Sequence, residues 1–212
     1  MHTIWYCSFT RNCAPYDAYF WDAEVVALRG KRRLRRRVYY AKGQTFLCHL
    51  NSYDKVKPYG ICINGCIDGF SRYIMWLNAY TTSSNPKVIA GYYIEAISSK
   101  MACPKLMRSD HGTENGNVCF LQTFLSKRKS FIYGQSMHNQ RIESWWQILR
   151  TECSQFWINI FENLNDGLIH FTGDFIDVNL VQFCFMKIID VNLVIFVKSY
   201  LWIDNFIEFC SA

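Results

Sequence analysis

From Gln44 onward the apolar residues fall into blocks whose spacing predicts regular elements, whereas residues 1–28 show no clear period. TFLCHLN (45–51) reads as a strand, SYDKVKPYG as a turn carrying Pro58 and Gly60, GICINGCID as a second strand, DGFS as a tight turn and RYIMWLNAY as a third strand. Together they predict an antiparallel meander. NPKVIAGYYIEAISSKM offers Asn85 as an N-cap and Pro86 at the first helical position, with Ile89, Tyr93 and Ile97 at four-residue spacing, the mark of a core-facing helix. Pro104 ends that element, and KLMRSD predicts a short strand finishing on Asp110. NVCFLQTFLSK then predicts a second helix packed through Val118, Phe120, Leu121, Phe124 and Leu125.

After a fifth strand, KSFIYG, the apolar positions Ile142, Trp146, Leu149, Cys153, Phe156 and Ile160 predict one long amphipathic helix from about Asn139 to Asn163, with Glu143 in its first turn. Trp145 and Trp146 are adjacent and cannot share one helix face, so one is expected in the core and the other partly exposed. Beyond Asn165 the pattern is harder to read. IDVNLV occurs at 176–181 and again at 189–194, a duplication too short for a solenoid. Asp177, Lys187, Asp190, Lys198, Asp204 and Glu208 interrupt this apolar C-terminal stretch, so no transmembrane helix and no membrane partner are expected.

The order three strands, helix, strand, helix, strand, long helix is that of an α/β, ribonuclease H-like domain: a mixed five-stranded sheet flanked by helices. The expected organisation is an N-terminal extension (1–43), a core (44–165) and a divergent apolar tail (166–212).

Half of the 212 residues are hydrophobic and 19% are charged, a balance that excludes a disordered chain. The net charge of +6 is a local feature, because seven of the nine residues from 29 to 37 are basic: Arg29, Lys31, Arg32, Arg33, Arg35, Arg36 and Arg37. So dense a run suits contact with DNA phosphates, a nuclear-import address or a solvated arm. The ten cysteines lack both a secretory leader before them and a C-x-x-C pair, so reduced intracellular thiols and no zinc site are expected.

The residues with chemistry are carboxylates. Phosphodiester cleavage and strand transfer use two divalent cations roughly 3.5–4 Å apart, which calls for hard oxygen ligands converging from distant positions. Asp110 in RSDHGTEN and Glu143 in HNQRIESWW are such a pair, 33 residues apart, one at a strand end and one at a helix start. These segments resemble the catalytic core of DDE integrases and transposases, which pair an S-D-x-G segment with an N-x-x-x-E-S segment. The likeness spans Gln44 to about Asn163 and extends to integrase core proteins derived from mobile elements.

The resemblance implies DNA as partner, Mg²⁺ (or Mn²⁺) as cofactor held by Asp110 and Glu143, strand transfer as the activity, and a multimer as the working form. It also exposes a departure. Where the family has a W-H-x-D segment this chain reads CHLN: Cys48 replaces the tryptophan, His49 is kept, and Asn51 stands at the first catalytic aspartate.

Asn keeps one acceptor oxygen but carries no charge and presents NH₂ in place of the second oxygen, so it is ill suited to bridging two cations. Asp68 and Asp54 fit poorly as substitutes, Asp68 because its D-G pair closes a hairpin and Asp54 because it falls in the following loop. Gln147 and Arg150, four and seven residues past Glu143, are either DNA contacts, as in related integrases, or an ordinary solvated face. His111 and His138 flank the carboxylates in sequence and are read as structural. The expected function is therefore a nuclear DDE-type core, with the triad Asn51, Asp110 and Glu143, that binds DNA with impaired catalysis; the alternative is a non-enzymatic nucleic-acid-binding protein domesticated from a mobile element, or its remnant.

Overall fold

The computed structural model describes residues 42–134, 139–166 and 171–211. The basic run at 29–37, nearly all of the expected N-terminal extension, and His138 lie outside them. Three strands form the antiparallel meander: β1 (Leu47–Tyr53), β2 (Cys62–Asp68) and β3 (Ile74–Tyr80). β1 runs two residues past the expected strand, because Ser52 and Tyr53 pair with Asn64 and Ile63 of β2. Helix α1 (Pro86–Lys100) starts where expected, with the Asn85 side chain accepting from Lys87 N at 3.0 Å. It stops at Met101, which takes the left-handed conformation (φ 50°).

Strand β4 (Leu106–Ser109), helix α2 (Gly116–Ser126) and strand β5 (Phe131–Tyr133) follow. β4 pairs parallel to both β1 and β5, completing a mixed sheet of order β3-β2-β1-β4-β5. Every residue of β2 is buried, as a central strand covered on both faces requires. One face packs Leu50, Cys66, Trp76 and Met107 against Ile89 and Tyr93 of α1 and Val118 of α2. The other packs Tyr53, Ile63 and Leu77 under the C-terminal helices. This is the mixed sheet flanked by helices expected of the ribonuclease H-like order.

Helix α2 differs from expectation. Val118 is buried and Leu121 partly so, but Phe120, Phe124 and Leu125 are exposed. Five apolar residues cannot share a face that admits only positions three and four apart. The inward place goes instead to Gln122, which accepts from Tyr93 Oη and donates to Pro104 O, each at 2.7 Å. Phe120 and Phe124 stack on each other outside, 6.2 Å between centroids.

The long helix is present but not uniform. It comprises α3 (Gln140–Leu149), a π-turn over Arg150–Ser154 and α4 (Gln155–Asp166). A π-turn adds one residue and so advances the inward face by one position. The buried series Ile142, Trp146, Leu149 continues as Ser154, Trp157, Ile158 and Phe161, while Phe156, expected inside, is exposed.

Most of the apolar C-terminal stretch forms one helix, α5 (Phe175–Ser211). Asp174 accepts from Asp177 N at 2.8 Å, and from there the chain is helical for 37 residues. Val181, Ile189 and Leu193 are buried in the same cluster as α3 and α4. Gln182 donates to Gly60 O at 2.7 Å, and α5 comes so close there that a Cβ on Gly60 (φ 79°) would collide with Val178. Phe196 and Tyr200 cover Trp145, so both tryptophans are buried, against the expectation that one would be partly exposed. The interrupting charges do not shorten the helix. Phe175–Tyr200 is long and apolar enough to cross a membrane by length and composition, although one of its faces is committed to the core.

Candidate functional site

Successive residues of a strand point to opposite faces, so His49, Asn51 and Tyr53 share the β1 face turned toward α3. Two residues of strand rise about 6.6 Å, close to the roughly 5.4 Å turn of a helix, so alternate strand residues can meet successive helix turns. They do so here. His49 Nδ1 lies 2.6 Å from Asn139 Oδ1, Asn51 Nδ2 donates to Glu143 Oε1 at 2.7 Å, and Tyr53 packs on Trp146 with ring centroids 5.4 Å apart. Tyr53 Oη also meets Ser154 Oγ, the last residue of the π-turn, at 2.8 Å.

Room for this approach comes from Gly65, the residue opposite Asn51 on β2. A Cβ there would lie 2.8 Å from Trp146 Cη2 and 3.2 Å from Leu77 Cδ1. The absence of a side chain at Gly65 thus lets the Trp146 ring lie against the sheet beside the site.

The parallel register of β1 and β4 pairs His49 with Arg108, and two residues further along each chain come Asn51 and Asp110. Asp110 Oδ1 accepts from Asn115 Nδ2 at 3.1 Å and from Gly112 N at 3.4 Å, which fixes the carboxylate at the strand end. Asn51, Asp110 and Glu143 line one cleft of about 360 Å³, together with Asp54 and Glu114. Burial holds the Glu143 carboxyl above its usual range; the Asn51 hydrogen bond opposes this and the negative charge of Asp110 adds to it.

The three residues predicted from sequence are thus brought together. Gln147 and Arg150 line an adjoining cleft with Lys55 and Trp146, a cleft that shares Asn51 and Glu143 with the first. Arg150 Nε donates to Gln155 Oε1 at 3.0 Å. Lys55, Asp54 and Glu114 were not among the predicted site residues. Glu114 was within reach of the sequence, in the same SDHGTEN segment as Asp110; for Asp54 and Lys55 the only signal is nearness to Asn51 along the chain.

Asp68 is fully engaged elsewhere. Its carboxylate accepts from Thr45 N (3.0 Å), Ser71 N (2.8 Å) and Ser71 Oγ (2.6 Å), closing the β2–β3 hairpin. Its strand partner is Cys48, three residues from Asn51 along β1. His111 stacks on Tyr133, centroids 5.7 Å apart.

A pair of bridged divalent cations needs a charged oxygen donor between them. Asn51 offers the opposite: its Oδ1 accepts from Ser52 N at 2.9 Å, so its NH₂ group is turned into the site and onto Glu143. Swapping the amide end for end would oppose oxygen to carboxylate and N–H to N–H, so this orientation is fixed by its partners. Among the described residues no group of three or more His, Cys, Asp or Glu side chains is arranged to hold a metal ion. The residues present do not fit a two-cation centre.

No curated protein matched the chain. The family model described as "Integrase core domain" matches residues 38–203, a family whose members generally use Mg²⁺ or Mn²⁺. That span takes in the whole sheet, both clefts and most of α5, and the chain belongs to the integrase core domain family.

Proposed function

We propose that this chain is a DNA-binding core of the DDE polynucleotidyl transferase type whose ancestral, metal-dependent strand transfer is lost or severely reduced because Asn51 replaces the first catalytic aspartate. The observation that carries this reading is the 2.7 Å bond from Asn51 Nδ2 to Glu143 Oε1. A donor occupies the place where a bridging carboxylate is required, and Glu143 is held by a side chain instead of a cation. Asp110 and Glu143 are the residues that would hold a single Mg²⁺ or Mn²⁺, weakly.

DNA is the partner. Gln147, Arg150 and Lys55 beside the site supply polar and cationic contacts suited to its phosphates, and the run of Arg29, Lys31, Arg32, Arg33, Arg35, Arg36 and Arg37 serves as a phosphate-binding arm or a nuclear-import address. The core works in the nucleus, as a multimer. Its functional body includes α5, whose buried Val181, Ile189 and Leu193 support packing on the core over insertion in a bilayer.

The test compares the wild-type chain with Asn51→Asp for Mg²⁺ binding and for nicking or joining of DNA. Activity that appears only in Asn51→Asp and vanishes on adding Asp110→Ala supports the proposal. Metal-dependent strand transfer by the wild type, lost in Asp110→Ala, refutes it. Deleting residues 29–37 should flatten the slope of log K against log salt for DNA binding. An unchanged slope removes the arm from DNA contact.

The second reading is a non-enzymatic nucleic-acid-binding protein taken over from, or left by, a mobile element. Cys48 and Asn51, two departures within one four-residue motif, favour it. DNA binding with no activity in Asn51→Asp would select this reading.

A further inference from the structure

Asn139 stands at the N-cap of α3, where an asparagine side chain ordinarily accepts from a backbone N–H of the first turn. It makes no such bond. Asn85 does so at the head of α1, so the difference lies in what surrounds Asn139. Its Nδ2 donates to Leu50 O at 2.9 Å and its Oδ1 faces His49 Nδ1 at 2.6 Å, all three groups being buried. Donation to the Leu50 carbonyl settles which end of the amide is oxygen, so the short contact to His49 requires a proton on Nδ1.

One side chain at the head of the helix therefore grips β1 at two consecutive residues, Leu50 by its backbone and His49 by its ring. Asn51 is the next residue on the strand, and Glu143 lies one turn up the helix from Asn139, tied to it through Glu143 N to Asn139 O at 3.2 Å. The grip thus fixes the register in which Asn51 meets Glu143. A slip of one residue on either element would turn one partner away from the other.

We propose that His49 and Asn139 are positioning residues: a buried clamp, working through the proton on His49 Nδ1, that sets the first turn of α3 against β1 and so brings Glu143 onto Asn51. Neither touches the reacting groups. Placement of Glu143 on this account is a property of the clamp and persists whichever residue occupies position 51. The proposal is independent of whether the site retains any chemistry, and its test uses neither metal nor DNA.

The measurement is ¹⁵N–¹H correlation of the full chain at neutral pH, reading the His49 ring nitrogens and the Asn51 side-chain NH₂, the latter assigned by its loss in Asn51→Ala. His49 should show the pattern of a neutral ring protonated on Nδ1, and the Asn51 NH₂ should carry the downfield shift of a donor to carboxylate. In Asn139→Ala the Asn51 signal should move to the position of a free amide and the His49 tautomer preference should be lost. Leu149→Ala cuts into the buried face of the same helix without touching the clamp, and should leave both signatures in place even as it lowers stability. An Nε2-protonated His49 in the wild type overturns the proposal without recourse to a variant. So does an Asn51 signal unmoved in Asn139→Ala, or one moved equally by Leu149→Ala.

Discussion

Asn51 Nδ2 donates to Glu143 Oε1 over 2.7 Å, so a strand residue and a helix residue 92 positions apart in sequence are joined directly at the place where the sequence resemblance implies two carboxylates. That contact makes the first prediction. Asn51→Asp replaces a donor–acceptor pair with two like charges, which raises a carboxyl pKa and removes a charge-assisted bond, at a cost of roughly 1–2 kcal/mol at this solvent-accessible site. Thermal unfolding in a chelator should place Asn51→Asp below the wild type. Adding Mg²⁺ or Mn²⁺ should recover the loss in the variant while moving the wild type far less, because tighter binding gives the variant the larger ligand-linked term. Equal metal shifts in both proteins would mean that Asn51 does not weaken the cation site.

Glu143 yields a prediction about pH. Its carboxyl is held above the usual range, mainly by burial, so folding disfavours its ionised form. The sign follows: Glu143 costs nothing below the unfolded value near 4.3, and its penalty grows as pH rises through the higher folded value, then levels off. Glu143→Gln keeps an acceptor for Asn51 and removes the penalty. Its melting temperature should match that of the wild type at about pH 4 and exceed it at pH 7. A difference that does not change with pH would contradict the assignment.

His49 acts in the opposite direction. Burial lowers its pKa to about 4, with Arg108 and Arg141 also lowering it and the Asn139 bond and Asp68 opposing. A base depressed on folding contributes stability that is complete above the unfolded value near 6.5 and is lost as pH falls toward the folded one. The drop should amount to roughly 3 kcal/mol between those limits. Denaturant unfolding across this range should show it in the wild type and not in His49→Gln.

Much of this arrangement was legible in the sequence, and the losses have identifiable causes. The strands, the Asn85 cap and the pairing of Asp110 with Glu143 rest on local signals: alternation, a cap residue, a motif. The misplacement of Phe156 comes from the π-turn at Arg150–Ser154, since periodicity counts 3.6 residues per turn and cannot register an inserted one. Apolar character alone points Phe120 and Phe124 inward, whereas Gln122 holds that place through bonds to Tyr93 and Pro104 that no local pattern shows. The burial of Trp145 depends on Phe196 and Tyr200, some fifty residues away in a stretch too uniformly apolar to display a face.

Gly65 is predicted to be intolerant of even a methyl group. Gly65→Ala would drive Cβ to 2.8 Å from Trp146 Cη2, an atom on a rigid ring packed against Tyr53 and Trp145. Overpacking of this kind costs about 1–3 kcal/mol. Trp146→Phe removes the clashing atom, so the double variant should be more stable than the sum of the two single losses implies, a coupling that chemical denaturation of all four proteins would measure. Strict additivity would show that the ring moves aside freely.

The last prediction concerns α5, the segment whose sequence looked least like part of a fold. Val181, Ile189 and Leu193 are 5%, 2% and 1% exposed, and they lie in one cluster with Ile142, Trp145 and Leu149 of the helix that carries Glu143. If α5 is part of the core, Leu193→Ala should destabilise the whole domain in a single cooperative transition by about 2–5 kcal/mol, the cost of a large-to-small change at a buried site. Truncation before Phe175 should uncover Trp145 and leave a species that binds hydrophobic dye and melts without cooperativity. Phe183→Ala is the control: this residue is 87% exposed on the opposite face of α5, so its loss should change stability by less than about 0.5 kcal/mol. Were Leu193→Ala as mild as Phe183→Ala, α5 would be an appendage, and the covering of Trp145 would have to come from elsewhere.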